Sequence, residues 1–275
     1  MELIDIERAL QKRYRLRLYA PFVKAIQTYQ LIAPNDQIAV CISGGKDSLV
    51  LAKLFQRYQR HSDIPFQVKY LSMDPGFTPS NRQTLEDNCR YLNIPVQIKL
   101  SNVFQVAMKL NDEKPCYMCS RMRRGFLYQY AQEQGCNKIA LAHHFDDVIE
   151  TTLINIFYTG CFKTMMPKLK SQNFSGMELI RPLVLVEEKD IIRYIQYIGI
   201  TPMNCGCQVA SKTLSSKREE IKDLIKSLRK INKNIPTNIF KSAENVNTNC
   251  CIGWKDKEQY IHFLDHYDSC KSDEE

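Results

Sequence analysis

The apolar residues of this chain follow two alternating spacings through most of its length. Short continuous apolar runs, typical of buried parallel strands, are followed by segments with an apolar residue every three or four positions, as in amphipathic helices. This pattern predicts strands at residues 36–43, 66–73, 95–101 and 138–143, and helices at residues 4–30, 47–61, 80–93, 118–134 and 147–158. Alternating strands and helices predict an α/β fold with a doubly wound parallel sheet. The first helix is predicted to break near Pro21.

Toward the C-terminus the alternation weakens. An amphipathic helix is predicted at residues 188–199, and a long basic helix at residues 216–234 follows a turn that contains cysteines. We therefore predict an N-terminal helical segment (residues 1–34), a central nucleotide-binding α/β domain (residues 35–186) and a smaller C-terminal helical and basic region (residues 187–275).

Composition and charge narrow the class of protein. The 275 residues are 44% hydrophobic, which is ample for a buried core, and the net charge is +8. The excess positive charge is clustered at residues 11–17, 121–124 and 216–234. This clustering favours a polyanionic partner. The alternative for each cluster is a helix face that is merely solvated. No long apolar run occurs and the N-terminal residues are polar, so we expect a cytoplasmic protein with no membrane association.

A Gly-rich hexapeptide, SGGKDS at residues 43–48, stands between the first predicted strand and the helix that follows it. In this context the N–H groups of Gly44 and Gly45 and the helix N-terminus can converge on an anion. Glycine is required because a side chain would obstruct the approach and the positive φ angles. The hexapeptide therefore predicts a phosphate-binding loop.

The side chains of the same loop supply further groups for phosphate. Lys46 adds a positive charge, Ser43 and Ser48 add hydroxyl groups, and Asp47 can hold Mg²⁺ or cap the helix. The string is neither a Walker A loop nor a dinucleotide-binding turn. It resembles the PP-loop of the ATP pyrophosphatase superfamily, whose members bind ATP and adenylate a substrate.

A second polar cluster lies where the predicted strand 138–143 gives way to a helix, in the string HHFDDVIE at residues 143–150. Asp147 and Glu150 are three residues apart, so they share a helical face and could hold Mg²⁺, and His144 could contact phosphate. Helix capping by Asp146 is the alternative role for this cluster. The string resembles the second PP-loop motif, commonly G-H-H-x-D-D, with Ala142 in place of the usual glycine.

A third segment, residues 72–81, follows a strand and is rich in turn-forming residues. The superfamily resemblance implies that the corresponding loop helps to seat the nucleoside, with Asp74 as the candidate contact.

Eleven cysteines in a chain expected to be cytoplasmic are best interpreted as reduced thiols, some of them metal ligands. Cys116 and Cys119 have chelating spacing and could bind zinc, form a redox dithiol or do neither. Cys205 and Cys207 could complete the ligand set. Structural zinc normally has four protein ligands, whereas three thiolates can hold an iron–sulfur cluster with one open iron position.

The order of the motifs is more specific than any one of them. Together with the two PP-loop motifs, the strings CYMCSRMRRG (116–125), MMPKL (165–169) and IRPL (180–183) resemble the tRNA 2-thiocytidine synthetase family. The resemblance runs from about residue 10 to residue 207. It implies a 4Fe-4S cluster held by Cys116, Cys119 and a later cysteine. Cys205 is favoured by order, with Cys207 as the alternative, because the family often has P-C-x-x-C where this chain has N-C-G-C.

The resemblance also implies a reaction. ATP and Mg²⁺ bind over the phosphate loop, and the C2 carbonyl oxygen of an anticodon-loop cytidine in tRNA is adenylated with release of pyrophosphate. Sulfur from a donor such as a cysteine desulfurase or free sulfide then replaces that oxygen. The implied catalytic residues are Lys46, Asp47, Cys116, Cys119 and Asp147. Relatives are often homodimers, so a homodimer is expected.

Three arginines, Arg121, Arg123 and Arg124, directly follow the cysteine pair. Because guanidinium groups make forked contacts with phosphate, we expect them to bind tRNA phosphates or to stabilise the charge that builds up around the adenylate and the cluster. The alternative is that they are ordinary helix-surface residues, since helical geometry cannot direct all three the same way.

Three other functions stay open from the sequence. A lysidine synthetase would also adenylate cytidine but needs no cysteine pair. A related thiolase could act on uridine or on a substrate other than tRNA. A non-catalytic tRNA-binding module with structural zinc is the alternative from a different class.

Overall fold

A mostly parallel sheet forms the centre of the computed structural model, which describes residues 1–101, 115–203, 214–256 and 259–267, with the backbone alone at 115–121 and 214–216. Within these residues the strands of the sheet are β1 (Gln37–Cys41), β2 (Gln67–Asp74), β3 (Val96–Leu100), β4 (Lys138–Ala140), β5 (Lys168–Lys170) and β6 (Glu178–Ile180).

The strand order is β3-β2-β1-β4-β6-β5, and only the edge strand β5 runs antiparallel to its neighbour. The order reverses between β1 and β4, which pair directly in the register Val40 to Ala140. In open parallel sheets, ligands bind outside the carboxyl ends of the strands at such a reversal. The doubly wound α/β fold predicted from the sequence is confirmed.

Helices cover both faces of the sheet, which explains why a central strand such as β1 is almost continuously apolar. The described α-helices are α1 (Leu3–Gln11), α2 (Ala20–Thr28), α3 (Lys46–His61), α4 (Pro79–Tyr91), α5 (Pro115–Glu133), α6 (Phe145–Thr159), α7 (Glu188–Tyr197), α8 (Leu214–Ile231) and α9 (Ile235–Ser242).

The break predicted near Pro21 is present, but it extends further toward the N-terminus. A π-helical segment, Arg15–Tyr19, separates α1 from α2. Pro21 lies in the first turn of α2, where its missing N–H group would have no helical partner in any case.

Three groups of buried side chains hold the layers together. On one face of the sheet, α1, α3 and α7 meet around fully buried residues such as Leu10, Phe55 and Tyr194. On the other face α5 packs against β1 and β4. The third group joins α6 to α8 and α9 through Ile149, Ile221 and other apolar residues. Burial of each large apolar side chain stabilises the packing of the C-terminal helices on α6 by about 1.5–3 kcal/mol.

Some elements lacked a clear sequence signal. β5 has only three residues, two of them lysines, and the hairpin of β7 (Gly253–Asp256) and β8 (Gln259–His262) is also short. The division at residues 34/35 and 186/187 stays a prediction. Of the helices that the structure describes, none has the length and apolar character needed to span a membrane.

Candidate active site

The phosphate loop and the second motif meet at the carboxyl ends of β1 and β4, because these two strands are neighbours at the reversal of strand order. Residues 43–48 follow β1, and residues 143–147 follow β4. Both predicted motifs therefore lie at the position where this fold binds its ligands.

Internal hydrogen bonds give the phosphate loop its shape. The Ser43 N–H donates to Ser48 Oγ at 3.2 Å, and Ser48 Oγ donates to the Gly45 carbonyl at 2.9 Å. Helix α3 begins at Lys46 after Gly45, and no side chain caps its first N–H groups. These groups are thus available to an anion at the positive end of the helix dipole.

Gly44 is required by the conformation and by the packing of this loop. Its φ angle is +81°, and a Cβ atom there would lie 3.1 Å from Met203 Cβ and 3.3 Å from a methyl carbon of Leu85. The Met203 N–H also donates to the Gly44 carbonyl at 3.0 Å. The loop is therefore held against the segment that immediately precedes Cys205 in the sequence.

Lys46 lies between two carboxylates. Its Nζ is 3.1 Å from Asp47 Oδ2 and 3.0 Å from Glu188 Oε1. Burial opposes the charged form, but these two carboxylates outweigh it and raise the pKa of Lys46. Lys46 is therefore held as a cation beside the loop.

Asp47 has a free oxygen beside this ion pair. Its Oδ1 is buried and has no hydrogen-bond partner, and burial raises the pKa of Asp47 despite the nearby Lys46. A buried oxygen without a donor is costly unless it has a partner. Its environment suits a hard cation such as Mg²⁺.

His144 links the second motif to the phosphate loop. Its Nδ1 accepts from the Asp147 N–H at 3.4 Å, while Asp147 Oδ2 accepts from the His144 N–H at 3.0 Å, a reciprocal cap at the start of α6. The opposite ring nitrogen, Nε2, lies 3.9 Å from Asp47 Oδ1. Asp147 and His144 are thus brought to the loop as predicted, and their contacts with a nucleotide stay a prediction.

Basic side chains of α8 contact the carboxylates of the site. Arg218 lies 3.6 Å from Asp147 and 3.1 Å from Glu150, Lys222 lies 3.7 Å from Glu150 and 3.2 Å from Glu188, and Arg229 lies 3.0 Å from Asp146. One face of the basic helix is therefore occupied by internal ion pairs. Its exposed lysines remain candidates for contact with a polyanion.

Glu150 is not among the residues that line the cavity beside the phosphate loop. It is 2% exposed, and burial raises its pKa to about 7. Its contact with Arg218 is an ion pair without hydrogen-bond geometry. A role as a Mg²⁺ ligand stays a prediction, and it requires Glu150 to exchange these cations for the metal ion.

A cavity of about 360 Å³ opens beside the loop. Its polar lining includes Ser43, Asp47, Ser48 and Asp147, and its apolar lining includes Met73, Phe77, Leu127 and Leu141. A polar end next to an apolar wall matches a nucleotide, in which phosphates adjoin a base.

Asp74 shapes the loop that brings Phe77 to this cavity. Its Oδ1 accepts from the N–H groups of Gly76 at 2.8 Å and Phe77 at 2.7 Å, and its Oδ2 accepts from Arg82 at 2.8 Å. Although burial opposes it, these donors lower the pKa of Asp74. The observed contacts position the loop, and direct contact between Asp74 and a nucleoside stays a prediction.

Helix α5 carries the cysteine pair toward the same cavity. Arg123 and Leu127 line the cavity. Positions 116, 119, 123 and 127 share one helical face because they are spaced by three or four residues. The side chains of Cys116, Cys119 and Arg121 lie outside the described residues, as do Cys205 and Cys207. Arg124 is exposed, whereas Arg123 lines the cavity, so these two arginines differ in their surroundings.

The sequence pattern missed several residues of the site. Arg181 is 7% exposed, and its Nε donates to His143 Nδ1 at 3.3 Å. Burial lowers the pKa of His143 to about 4 and that of Arg181 to about 10. The sequence pattern also did not single out Glu188, Arg218 and Lys222 as residues of the site. The position of IRPL directly after a strand could have indicated Arg181, whereas nothing local marks the other three.

Comparison with known proteins agrees with this geometry. The PP-loop domain family matches residues 17–203. A tRNA-cytidine(32) 2-sulfurtransferase of Coxiella burnetii is 38% identical over 245 residues, which are 86% of this chain and 92% of that protein. The protein of that name from Dichelobacter nodosus is 43% identical over 190 residues, which are 67% of this chain and 71% of the relative.

Among solved structures, the U34-tRNA thiolase NcsA from Methanococcus maripaludis, determined with its [4Fe-4S] cluster, has the same fold. Its TM-score is 0.63 at 21% identity, over 85% of this chain and 80% of that one. Given the family match and the long alignments with the sulfurtransferases, the chain belongs to the tRNA-cytidine(32) 2-sulfurtransferase family of PP-loop, ATP-using transferases.

Proposed function

We propose that this chain is an ATP-dependent tRNA sulfurtransferase that replaces the C2 carbonyl oxygen of an anticodon-loop cytidine with sulfur. The observation that carries the proposal is the shared cavity. The phosphate loop and Asp147 line it from one side, and the α5 face that includes positions 116 and 119 lines it through Arg123 and Leu127. The names of the bacterial relatives support tRNA as the substrate.

ATP fits the cavity in one orientation. Its phosphates would take the N–H groups of Gly44 and Gly45, with Lys46 as the cation beside them. The base would lie against the apolar wall that includes Met73 and Phe77. Mg²⁺ would be held by Asp47, whose unpartnered buried oxygen suits it, together with Asp147 and, after a change of partners, Glu150.

The first chemical step makes the cytidine oxygen a leaving group. The C2 carbonyl oxygen forms a bond to the α-phosphorus of ATP, and the bond from that phosphorus to the bridging oxygen breaks, which releases pyrophosphate. Lys46 and His144 are placed to stabilise the negative charge on the departing phosphates. In the second step sulfide forms the C–S bond at C2, the C–O bond breaks, and AMP leaves with the oxygen.

The cysteines suit a 4Fe-4S cluster on the chemistry of their donor set. Three soft thiolates, from Cys116, Cys119 and either Cys205 or Cys207, would hold it. Such a cluster would supply an iron with an open position at which sulfide can bind. At 1.5 Å of helical rise per residue, positions 119 and 116 lie about 6 and 10 Å along α5 from Arg123. This spacing supports a role for Cys116 and Cys119 on the same substrate.

The partners follow from the same proposal. Arg123 in the cavity wall, with Arg121 and Arg124 on the same helix, would contact tRNA phosphates. The sulfur donor would be a cysteine desulfurase or free sulfide, the enzyme would work as a homodimer, and a cytoplasmic location would give it access to tRNA.

The proposal is tested by the Cys116→Ala variant, prepared and assayed without oxygen. Thiolation of tRNA should be lost while ATP binding is retained, because the cysteine serves sulfur transfer and not the nucleotide. Cys161→Ala, which changes a half-buried free thiol, is the matched control and should remain active. A colourless wild-type protein that contains zinc and no iron would instead support a binding module with structural zinc.

A further inference from the structure

Several large apolar side chains are exposed from the last turn of α6 to the start of β5, and three of them are the most exposed. Phe157 is 57% exposed, Phe162 46% and Met166 50%. Together with Lys163 and Lys170, which are also exposed, they are here called the Phe162 surface. Exposed apolar side chains close together on a folded protein commonly mark a site of interaction.

The backbone of this segment is fixed, so the exposure is not the result of a loose loop. The Cys161 N–H donates to the Asn155 carbonyl at 3.1 Å, and Asn155 Nδ2 donates to the Lys163 carbonyl at 3.0 Å. The hydroxyl groups of Thr152 and Thr164 lie 3.0 Å apart. The loop is thus tied to α6 along its length, and it leaves Phe162 and Met166 exposed while Met165 packs against the core.

One end of the Phe162 surface adjoins the candidate active site. Because β5 runs antiparallel to β6, the residues before β5 lie at the carboxyl edge of the sheet, where the cavity opens. The Arg181 N–H donates to the Pro167 carbonyl at 2.8 Å, and the Arg181 side chain donates to the Met166 carbonyl. The same side chain contacts His143 in the cavity wall. Met166 therefore lies beside the cavity, and the surface extends from it along α6.

The charge of the segment favours a polyanion over a second copy of this chain. Residues 156–171 include three lysines and no carboxylate. Lys168 is paired with Glu178 at 3.4 Å, which leaves Lys163 and Lys170 at the exposed positions. A two-fold contact between copies would place these lysines against each other. Aromatic rings beside lysines suit single-stranded RNA, whose bases stack and whose phosphates need cations.

We propose that the Phe162 surface binds the unpaired nucleotides that flank the reacting cytidine in the anticodon loop of tRNA. Phe162 stacks on a base, Lys163 and Lys170 contact phosphates, and Met166 borders the entrance through which the cytidine reaches the cavity. This inference rests on the proposed function, because that function brings a tRNA loop to the cavity.

The test measures binding of two RNA probes over a series of salt concentrations without ATP: a hairpin with the anticodon-loop sequence and a fully paired duplex of the same stem. Phe162→Ala should weaken hairpin binding about tenfold and duplex binding little, because the variant loses a stack that only an unpaired base can make. Lys163→Ala should weaken hairpin binding. It should also make the slope of log K against log salt concentration shallower by about one, the change expected when one phosphate contact is lost.

Matched controls lie on the C-terminal hairpin, at Lys255, and directly after it, at Phe263. Phe263→Ala changes an aromatic residue that is 41% exposed, and Lys255→Ala changes an exposed lysine, so both should bind the hairpin like the wild type. All four variants should retain ATP binding, which shows that they are folded.

Several results would overturn the inference. The first is hairpin affinity that is unchanged in both Phe162→Ala and Lys163→Ala, and the second is a loss of affinity in Phe162→Ala that is equal for the hairpin and the duplex. The third is a wild-type dimer that Phe162→Ala dissociates while its affinity for RNA stays the same. Failure of the proposed function is distinguishable: the wild type would bind the hairpin through this surface and yet would not thiolate tRNA.

Discussion

Glu188 Oε1 lies 3.0 Å from Lys46 Nζ and so joins the first residue of α7 to the first residue of α3. The other carboxylate oxygen of Glu188 is 3.2 Å from Lys222 on α8. The backbone N–H of Glu188 donates to Asp146 at 2.7 Å. Burial opposes ionisation, but the hydrogen bond from Lys46 and the nearby cations lower the pKa of Glu188 to about 2. One residue thus connects the phosphate loop, the second motif and the C-terminal helix.

This connection predicts that Glu188→Gln weakens ATP binding. The amide keeps the shape of the side chain but loses the charged partner that holds Lys46, and charge-assisted hydrogen bonds contribute on the order of 1.5–3 kcal/mol. We expect the Kd for ATP to rise about tenfold when measured by calorimetry. Glu187→Gln is the matched control, because Glu187 pairs with Lys189 and Arg229 and has no contact with Lys46. Equal Kd values for the two variants would contradict the role given to Glu188.

Gly44 and Gly135 provide a second comparison. Both have positive φ angles, +81° and +72°, but a Cβ atom at Gly44 would meet Met203 and Leu85, whereas nothing lies within 4 Å of a Cβ atom at Gly135. Alanine at either position should cost about 1 kcal/mol of unfolding free energy for the backbone conformation. Gly44→Ala should lose more unfolding free energy than Gly135→Ala, since Met203 must shift. Of the two variants, only Gly44→Ala should weaken ATP binding. Denaturant titrations with and without ATP check both effects, and similar losses for the two variants would count against the packing argument.

The contact between Arg181 and His143 predicts a pH dependence. Burial and then the positive charge of Arg181, whose Nε donates to Nδ1, favour the neutral ring, and the pKa of His143 falls from 6.5 to about 4. A lowered histidine pKa means that the unfolded chain binds the proton first. This contribution to stability is therefore complete above pH 6.5 and is lost as the pH falls from there toward 4.

The variant His143→Asn isolates this effect, since the amide oxygen can still accept from Arg181 but does not titrate. Between neutral and acidic pH the wild type should lose up to about 3 kcal/mol more unfolding free energy than the variant, at about 1.4 kcal/mol per pKa unit. Unfolding curves at several pH values provide the measurement. Parallel losses in the two proteins would show that His143 is not the titrating group.

The parts of the site that were predictable from sequence are the parts encoded locally. The loop at 43–48 and the string at 143–150 each join a strand to a helix, and the parallel order of the strands brings them together. By contrast, Arg218 reaches Asp147 from 71 residues away (218 − 147). Its partners depend on how α8 packs on α6 through residues such as Ile221, and no local pattern contains that information. The sequence showed a basic helix but not which of its faces is occupied.

Edge elements were missed for a related reason. β5 is three residues long and is held by pairing with β6, so its backbone partner and not its own composition makes it a strand. The same pairing places Met166 at the cavity edge, a consequence that the string MMPKL alone does not reveal.

The central claim is that one cavity serves both ATP-dependent activation and sulfur transfer on a tRNA cytidine. The most direct measurement is mass spectrometry of nucleosides from tRNA incubated without oxygen with the purified, iron-loaded protein, sulfide and ATP. We expect 2-thiocytidine, AMP and pyrophosphate released in step with it, and loss of all three products when ATP is omitted. Unmodified cytidine in the complete reaction, or thiolation that proceeds without ATP, would contradict the central claim.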